Sequence, residues 1–544
     1  MTSSRGTLVY YVVGPVHLRN ALRIQEGLPE WEVRIAYEPA LRWFRNDRMK
    51  RLPLLCVPLV GHRVPDALWS GAVRAALFSS VQPRPAPLAL LRSALERGLP
   101  TIGLEETNQV ALNDQTINNY LLPLDHLLVA SEEEREGMVA AGIPERRVEV
   151  TGWPFYDGSL GAPSLSRRRN QKARFGLDPD RPVATLALTA LGDTGESRPV
   201  RERQVALAAD GLPAAYQLVV KPHPIEPSRR LLASLGRRAS RVHVIDGFVA
   251  IDDVLDATDI LLNRGTSQVC FEAILREIPV IILDIGVRTP FHRLAPDVVV
   301  TSPADLARLL SAARQRQDFR AVYRQVTARH MPHAPDQARE VTCRRIEMVA
   351  VGAPTLRDPR QWLDLALYEA WRADRRTALR TLSSDRVDER GLPVESLRKL
   401  IQYRATDGDL ERLQATLGHG FRSQVLRALW IDQAAHRRMP PAEADIRWLR
   451  EFPPRLNIAW FVPQLRRWID ILLRSGRAEE ATGLIERLEH RSPGFPEATR
   501  LAQSISRYQG GRVGRTAYAA HQAMCRLRAR MGRVSQRVSR ARGH

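Results

Sequence analysis

Cysteine is scarce in this chain. Four are found in 544 residues (Cys56, Cys270, Cys343 and Cys525), with no metal-like spacing between them. A reducing, cytoplasmic compartment suits that usage better than a disulfide framework. Long apolar runs are also missing. No stretch reaches the roughly 18 residues that a membrane-spanning helix needs, so none is expected. The apolar start, LVYYVV, is short and stops at Gly14-Pro15. It reads as a first strand and not as a signal peptide. Zinc-finger spacing, an RNP-like aromatic motif and an evident helix-turn-helix are absent too. The net charge of +21 is therefore not assigned to nucleic acid. Most of it comes from Arg, and a high-GC genome's preference for Arg accounts for the larger part. An anionic membrane surface or acidic substrates are the functional readings of the rest.

What is present supports several domains. The length exceeds one domain and suits three, and 44% hydrophobic residues allow ordinary cores. The chain is organised around Leu218 to Asp284. LVVKPHP (Leu218 to Pro224) is an apolar, β-branched run stopped by Lys221-Pro222-His223-Pro224. That predicts a buried strand with a polar loop at its carboxyl end. Ile260 to Leu262, the loop Asn263-Arg264-Gly265-Thr266-Ser267, a helix, and Val280 to Leu283 predict a βαβ unit with parallel strands. Ligands of open parallel sheets sit outside the carboxyl ends of the strands, where both loops fall.

The chemistry expected there is diphosphate binding. Gly265 lets backbone approach an anion closely. Thr266 and Ser267 bring hydroxyls to a helix start, where free N–H groups and the dipole favour phosphate. Glu272 lies further round that helix, placed to accept from ribose hydroxyls, and His223 is placed to donate to a phosphate oxygen. Each feature has a plainer reading, a loop histidine or a helix cap.

KPHP followed by the spaced RGTSQ-x-x-x-E-A-I-x-x-x-x-P-V-I resembles the C-terminal half of GT-B nucleotide-sugar transferases. It is also similar to the CDP-glycerol glycerophosphotransferases and the UDP-GlcNAc 2-epimerases. The resemblance covers about the first two-thirds of the chain. It implies that His223 and Ser267 hold the donor diphosphate and that Glu272 holds ribose, with Lys221, Arg264, Gly265, Thr266 and Gln268 completing the donor loops. It also implies that the turn Gly247-Phe248-Val249 meets the nucleotide base.

Strand candidates at Leu8 to Val13, Val33 to Tyr37, Leu54 to Val57, Ala75 to Phe78, Thr101 to Leu104 and Leu127 to Val129 predict an α/β first domain, residues 1–158. His17, after the first strand, reads either as a base for the acceptor hydroxyl or as a packing residue at a helix start. The polar stretch Thr101 to Tyr120 offers Glu105, Glu106, Asn108 and Asn113 to acceptor hydroxyls. The epimerase resemblance implies a catalytic Glu there. The His-Gly pair of the glycerophosphotransferases is missing, which counts against that reaction. Ser159 to Arg174, rich in Ser, Gly, Pro and Arg, reads as linker or its flank.

A second domain, residues 175–351, begins with a strand at Val183 to Thr189 and the Gly192 to Gly195 loop. From about Thr355 the strand pattern gives way to helical periods. Gly476, Ala481 and Pro493 stand at spacings that resemble a tetratricopeptide unit, and Trp362 to Leu382 looks like a weaker copy. Residues 355–508 are expected to be a helical-repeat-like domain, either docking a protein or capping the core. The tail, residues 510–544, has no acidic residue. Met524, Leu527, Met531, Val534 and Val538 form one apolar stripe among Arg residues, which suits an anionic membrane surface or a disordered basic tail.

The fold class expected is α/β, a GT-B-like pair of Rossmann-like domains, followed by an all-α domain. The function expected is transfer of a sugar from a nucleotide-diphosphate donor to a glycan or lipid-linked acceptor hydroxyl, in the cytoplasm or on the inner membrane face. No cofactor and no metal are expected. Alternatives are an epimerase or glycerophosphotransferase on the same fold, or a helical scaffold.

Overall fold

In the computed structural model the described residues are 5–39, 53–79, 85–104, 123–140, 142–154, 161–189, 196, 198–223, 241–247, 249–285, 288–313, 319–352, 360–371, 374–383, 392–417, 420–437, 439, 442–450, 462–491, 501–503 and 505–506. Two parallel sheets organise them. The first holds β1 (Gly6–Val12), β2 (Trp31–Tyr37), β3 (Leu55–Pro58), β4 (Val73–Phe78), β5 (Thr101–Leu104), β6 (His126–Val129) and β7 (Val148–Val150), in the order β3-β2-β1-β4-β5-β6-β7. The second holds β8 (Val183–Ala187), β9 (Gln217–Lys221), β10 (Val242–Val244), β11 (Ile260–Asn263), β12 (Val280–Leu283) and β13 (Val299–Val300), in the order β10-β9-β8-β11-β12-β13. Numbered within its own domain, each sheet begins 3-2-1-4-5-6, the doubly wound Rossmann order. β1, β8 and β12 are buried along their whole length, as central strands covered on both faces must be.

The covering helices of the first domain include α1 (Pro15–Gly27), α2 (Pro85–Glu96) and α3 (Glu132–Ala140). α4 (Leu165–Arg174) forms where the composition reads as linker. Ser164 caps it, its Oγ accepting from the Arg167 N–H at 3.2 Å, and Arg167 and Arg168 bind Asp256 and Asp259. These contacts draw an Arg-rich segment into a helix packed on the second domain. There α5 (Arg198–Gly211), α6 (Ile251–Ala257), α7 (Val269–Leu275), α8 (Pro290–Leu294), α9 (Pro303–Ala313) and α10 (Phe319–His330) follow.

α11 (Pro335–Val351) returns to the first domain and lies along α1. A Cβ on Gly27 would come 2.5 Å from Cys343 Sγ, so the two helices approach closely there. Near its start, α11 meets the chain leaving β7. Gly152 has φ +83°, and a Cβ there would lie 2.8 Å from that of Ala338 and 3.2 Å from that of His333. Glu133 on α3 receives Arg293 of α8 at 3.2 Å and Arg329 of α10 at 2.6 Å, a second tie between the domains.

The helices from residue 360 onward do not stand apart. One apolar cluster runs from Val9, Tyr11 and Phe78 of the first sheet through Leu90 and Leu91 of α2 to Trp362, Leu365 and Trp468. α12 (Arg360–Trp371) is buried at every residue from Gln361 to Trp371. Such a helix belongs inside a core. Three of its buried polar side chains are tied to neighbours, with Gln361 donating to Asp125 at 2.6 Å, Asp364 accepting from Arg422, and Glu369 accepting from Arg92 and Thr381. After α12 come α13 (Arg375–Leu382), α14 (Val394–Ile401) and further helices to residue 491. Among the described residues no helix is long and apolar enough to cross a membrane.

Candidate functional site

In a doubly wound sheet the crevice opens where the strand order reverses. That is between β8 and β11 in the second domain and between β1 and β4 in the first. The second crevice is the more elaborate. At the end of β11, Asn263 donates from its amide to the Ala187 carbonyl at 2.8 Å, and its Oδ1 accepts the Gly265 N–H at 2.8 Å. The resulting turn puts Gly265 at φ +77°, where a Cβ would lie 2.6 Å from Thr289 Oγ1. Both conformation and space therefore require glycine at this position. Thr266 and Thr189 bring their hydroxyls within 3.2 Å of each other across the strands.

Ser267 and Gln268 lead into α7. Ser267 Oγ accepts from the Val269 N–H at 3.4 Å, and the Ser267 carbonyl accepts from Cys270 at 3.1 Å. Glu272 is half-buried in the first turn of α7. Beside this loop, Thr289 and His292 form a capping box at α8, and His292 Nε2 lies 3.3 Å from Asp284 Oδ1.

Two cations expected to face phosphate are bonded within the protein. Arg264, 2% exposed, donates from Nη1 to Glu196 Oε2 at 2.7 Å. Glu196 is itself enclosed and also receives Arg201 at 3.2 Å and Gln204 at 2.9 Å, while Arg201 donates to the Thr189 carbonyl at 2.7 Å. Lys221 donates from Nζ to the Gly247 carbonyl at 2.7 Å and the Pro222 carbonyl at 3.2 Å, joining the loops after β9 and β10. Burial brings its ammonium down to about 8, with Asp246 acting in the opposite sense. His223 follows at the end of β9, half-buried. Phe248, Glu105 and Glu106 lie outside the described residues, as do Asn108, Asn113 and the Gly192 to Gly195 loop.

In the first domain His17 sits in the first turn of α1, 5% exposed, and its Nδ1 accepts the Val13 N–H at 3.1 Å. Ser79, after β4, donates to the Tyr11 carbonyl at 3.2 Å. One turn along α1, Asn20 is 1% exposed, and among the described residues neither of its amide atoms has a hydrogen-bond partner.

Sequence reasoning missed Glu196, Thr189, Asn263, Asn20 and the Thr289–His292 cap. Asn263 alone carried a signal, since an Asn two residues before a glycine forms such turns readily. Among the described residues, no group of three or more His, Cys, Asp or Glu is placed to hold a metal ion.

Two doubly wound parallel domains, with α11 crossing back from the second to the first, define a GT-B architecture. No family profile and no curated protein matches the chain. Solved structures do. The UDP-GlcNAc 2-epimerase of Neisseria meningitidis, bound to UDP-GlcNAc, is 14% identical, with 63% of this chain and 99% of that one covered at a TM-score of 0.44. Anabaena HepE in complex with UDP and glucose is 11% identical, covering 63% and 99% at 0.44. The wall teichoic acid polymerase TagF is 13% identical, covering 64% and 90% at 0.44.

Proposed function

We propose that this chain is a glycosyltransferase that moves a sugar from a nucleotide-diphosphate donor to an acceptor hydroxyl, in the synthesis of surface polysaccharide or glycoconjugate. The observation that carries the reading is the β8/β11 crevice. There a turn that only glycine fits, three hydroxyls and a helix start stand together, with His223 at the end of β9. Charge develops on the diphosphate as the sugar leaves it, and fixed donors stabilise that charge without reorganising.

In this reading Gly265, Thr266, Ser267, Gln268 and His223 meet the diphosphate, and Glu272 meets ribose. Arg264 and Lys221 fix the loops from beneath instead of touching phosphate. The first domain takes the acceptor. The tail, residues 510–544, would hold the enzyme against an anionic leaflet, and the outer helices offer a surface for a protein partner.

A thermal-shift screen against nucleotides and nucleotide sugars tests the reading. A ligand at a hundredfold excess over its Kd adds about 2.7 kcal/mol of stability. Product analysis with the ligands that bind then separates transfer from epimerisation and from polyol-phosphate transfer. No shift with any of them would remove the donor site.

A further inference from the structure

We infer that Glu196 is the positioning residue of the β8/β11 crevice, its one carboxylate holding both strand ends that wall the site. β8 and β11 are paired as far as Leu186 and Leu262. Beyond that point, among the described residues, no backbone hydrogen bond joins the two chains, and side chains set their separation. Three ties do so. Asn263 donates from its amide to the Ala187 carbonyl at 2.8 Å, and the Thr189 and Thr266 hydroxyls meet at 3.2 Å. The third tie is charged and runs through Glu196.

Glu196 stands two residues before α5 and is 2% exposed. Arg201 and Gln204, three apart on α5, turn toward it from one face of that helix. Glu196 Oε1 accepts from Arg201 Nε at 3.2 Å, and Arg201 Nη2 continues to the Thr189 carbonyl at 2.7 Å, which holds the β8 wall. Glu196 Oε2 accepts from Arg264 Nη1 at 2.7 Å, and Arg264 is the residue before Gly265, which holds the β11 wall. Gln204 Nε2 lies 3.0 Å and 2.9 Å from the two oxygens and keeps the carboxylate in place. Each wall therefore has its own oxygen. A carboxylate accepts at both of its oxygens and a side-chain amide at only one, so the isosteric glutamine cannot hold the two walls together. Charged hydrogen bonds away from water are strong and strict in geometry, which suits a spacer.

That the crevice takes a nucleoside diphosphate rests on the proposed function; that Glu196 fixes the strand ends does not. In that reading Glu196 stays beneath the ligand and acts through Arg201 and Arg264. It sets how far the Gly265 to Ser267 loop stands from Thr189, and so where the donors of that loop meet the diphosphate. A shift of about 1 Å in such donors costs up to about a hundredfold.

Two measurements on the full chain decide it. In Glu196→Gln the amide oxygen stays with Arg201 and Gln204, which lie close along the chain, and Arg264 is released. Amide hydrogen exchange read by mass spectrometry should then be faster over residues 263–268 and unchanged over β1 and β4. Unchanged exchange at 263–268, or a rise spread over the whole second domain, overturns the inference. Calorimetry with UDP, CDP, ADP and GDP gives the second reading. For the nucleotide that binds, Glu196→Gln should raise Kd about tenfold or more. The double variant Glu196→Gln/Arg264→Met removes the stranded guanidinium, so its melting temperature should recover toward the parent's while Kd stays raised. A Kd that returns with stability makes Glu196 a stabilising residue only and overturns the role. If none of the four nucleotides binds the parent, the donor-site reading fails, and the exchange measurement still decides whether Glu196 holds the strand ends.

Discussion

Arg422 clasps Asp364 with two parallel hydrogen bonds, Nε to Oδ1 at 2.6 Å and Nη2 to Oδ2 at 2.8 Å. Its remaining nitrogen, Nη1, donates to the Gly142 carbonyl of the first domain at 2.9 Å. Asp364 is fully enclosed and Arg422 is 8% exposed. One guanidinium thus joins two helices of the C-terminal part to the loop before β7. Removing one member leaves the other charge buried alone, which costs about 3–5 kcal/mol. Asp364→Ala should therefore lower stability by that order, read by urea denaturation. An Asp364→Ala/Arg422→Met pair should recover part of it. A cost in the single variant below about 1 kcal/mol would show that water reaches the site.

A second tie between the same bodies predicts a dependence on pH. Glu369 on α12 accepts from Arg92 of α2 and from Thr381 of α13 at 2.7 Å. Burial raises its carboxyl to about 7, and the Arg92 charge only partly offsets that. The folded chain then binds a proton here that the unfolded chain releases from about pH 4.5 upward. The stability contributed is full below about pH 4.5 and is lost as pH rises through about 7, by an amount on the order of 3 kcal/mol. Glu369→Gln should flatten that part of the stability profile, and identical profiles in the two proteins would refute the shift.

Asn20 makes the opposite kind of prediction. An enclosed amide with no partner costs roughly 1–3 kcal/mol relative to a matched apolar group. Asn20→Leu is therefore expected to raise the melting temperature of the unliganded chain, because α1 then packs a hydrocarbon where it now packs an unmatched amide. A fall would mean that the amide is satisfied in solution, by bound water for instance.

His223 is flanked by Pro222 and Pro224, and each proline biases the residue before it toward extended backbone. Two flanking prolines restrict the backbone at His223, and under the proposed function that suits donation to the departing diphosphate. His223→Ala should lower turnover by about a hundredfold or more. His223→Gln should regain part of the loss, since its amide donates and is not a base. Steady-state kinetics on the three proteins make the comparison, and a Gln variant as inactive as Ala while still binding nucleotide would assign His223 a proton-transfer role.

Much of the fold was legible because parallel strands announce themselves. Val183 to Ala187 and Val280 to Leu283 are short apolar runs closed by polar loops, and the structure has strands there. β13 escaped because two residues carry no period. The site was legible only in part, for a reason that Arg264 illustrates. A sequence displays a cation but not its counter-charge, and Glu196 is 68 residues away along the chain. Lys221 was hidden likewise, its partner being a carbonyl at Gly247. The helical part shows the same limit. Its period reveals an apolar face, but nothing in the period of Trp362 to Trp371 says that the first domain packs against it.

Gly152 touching His333 and Ala338 has a mechanical consequence. The chain passes between the two α/β domains out through one strand of backbone and back through another, and here the two passages lie side by side. Two tethers in contact hold the domains together at this point more firmly than either would alone. Their closest approach falls at a glycine that has no room for a methyl group.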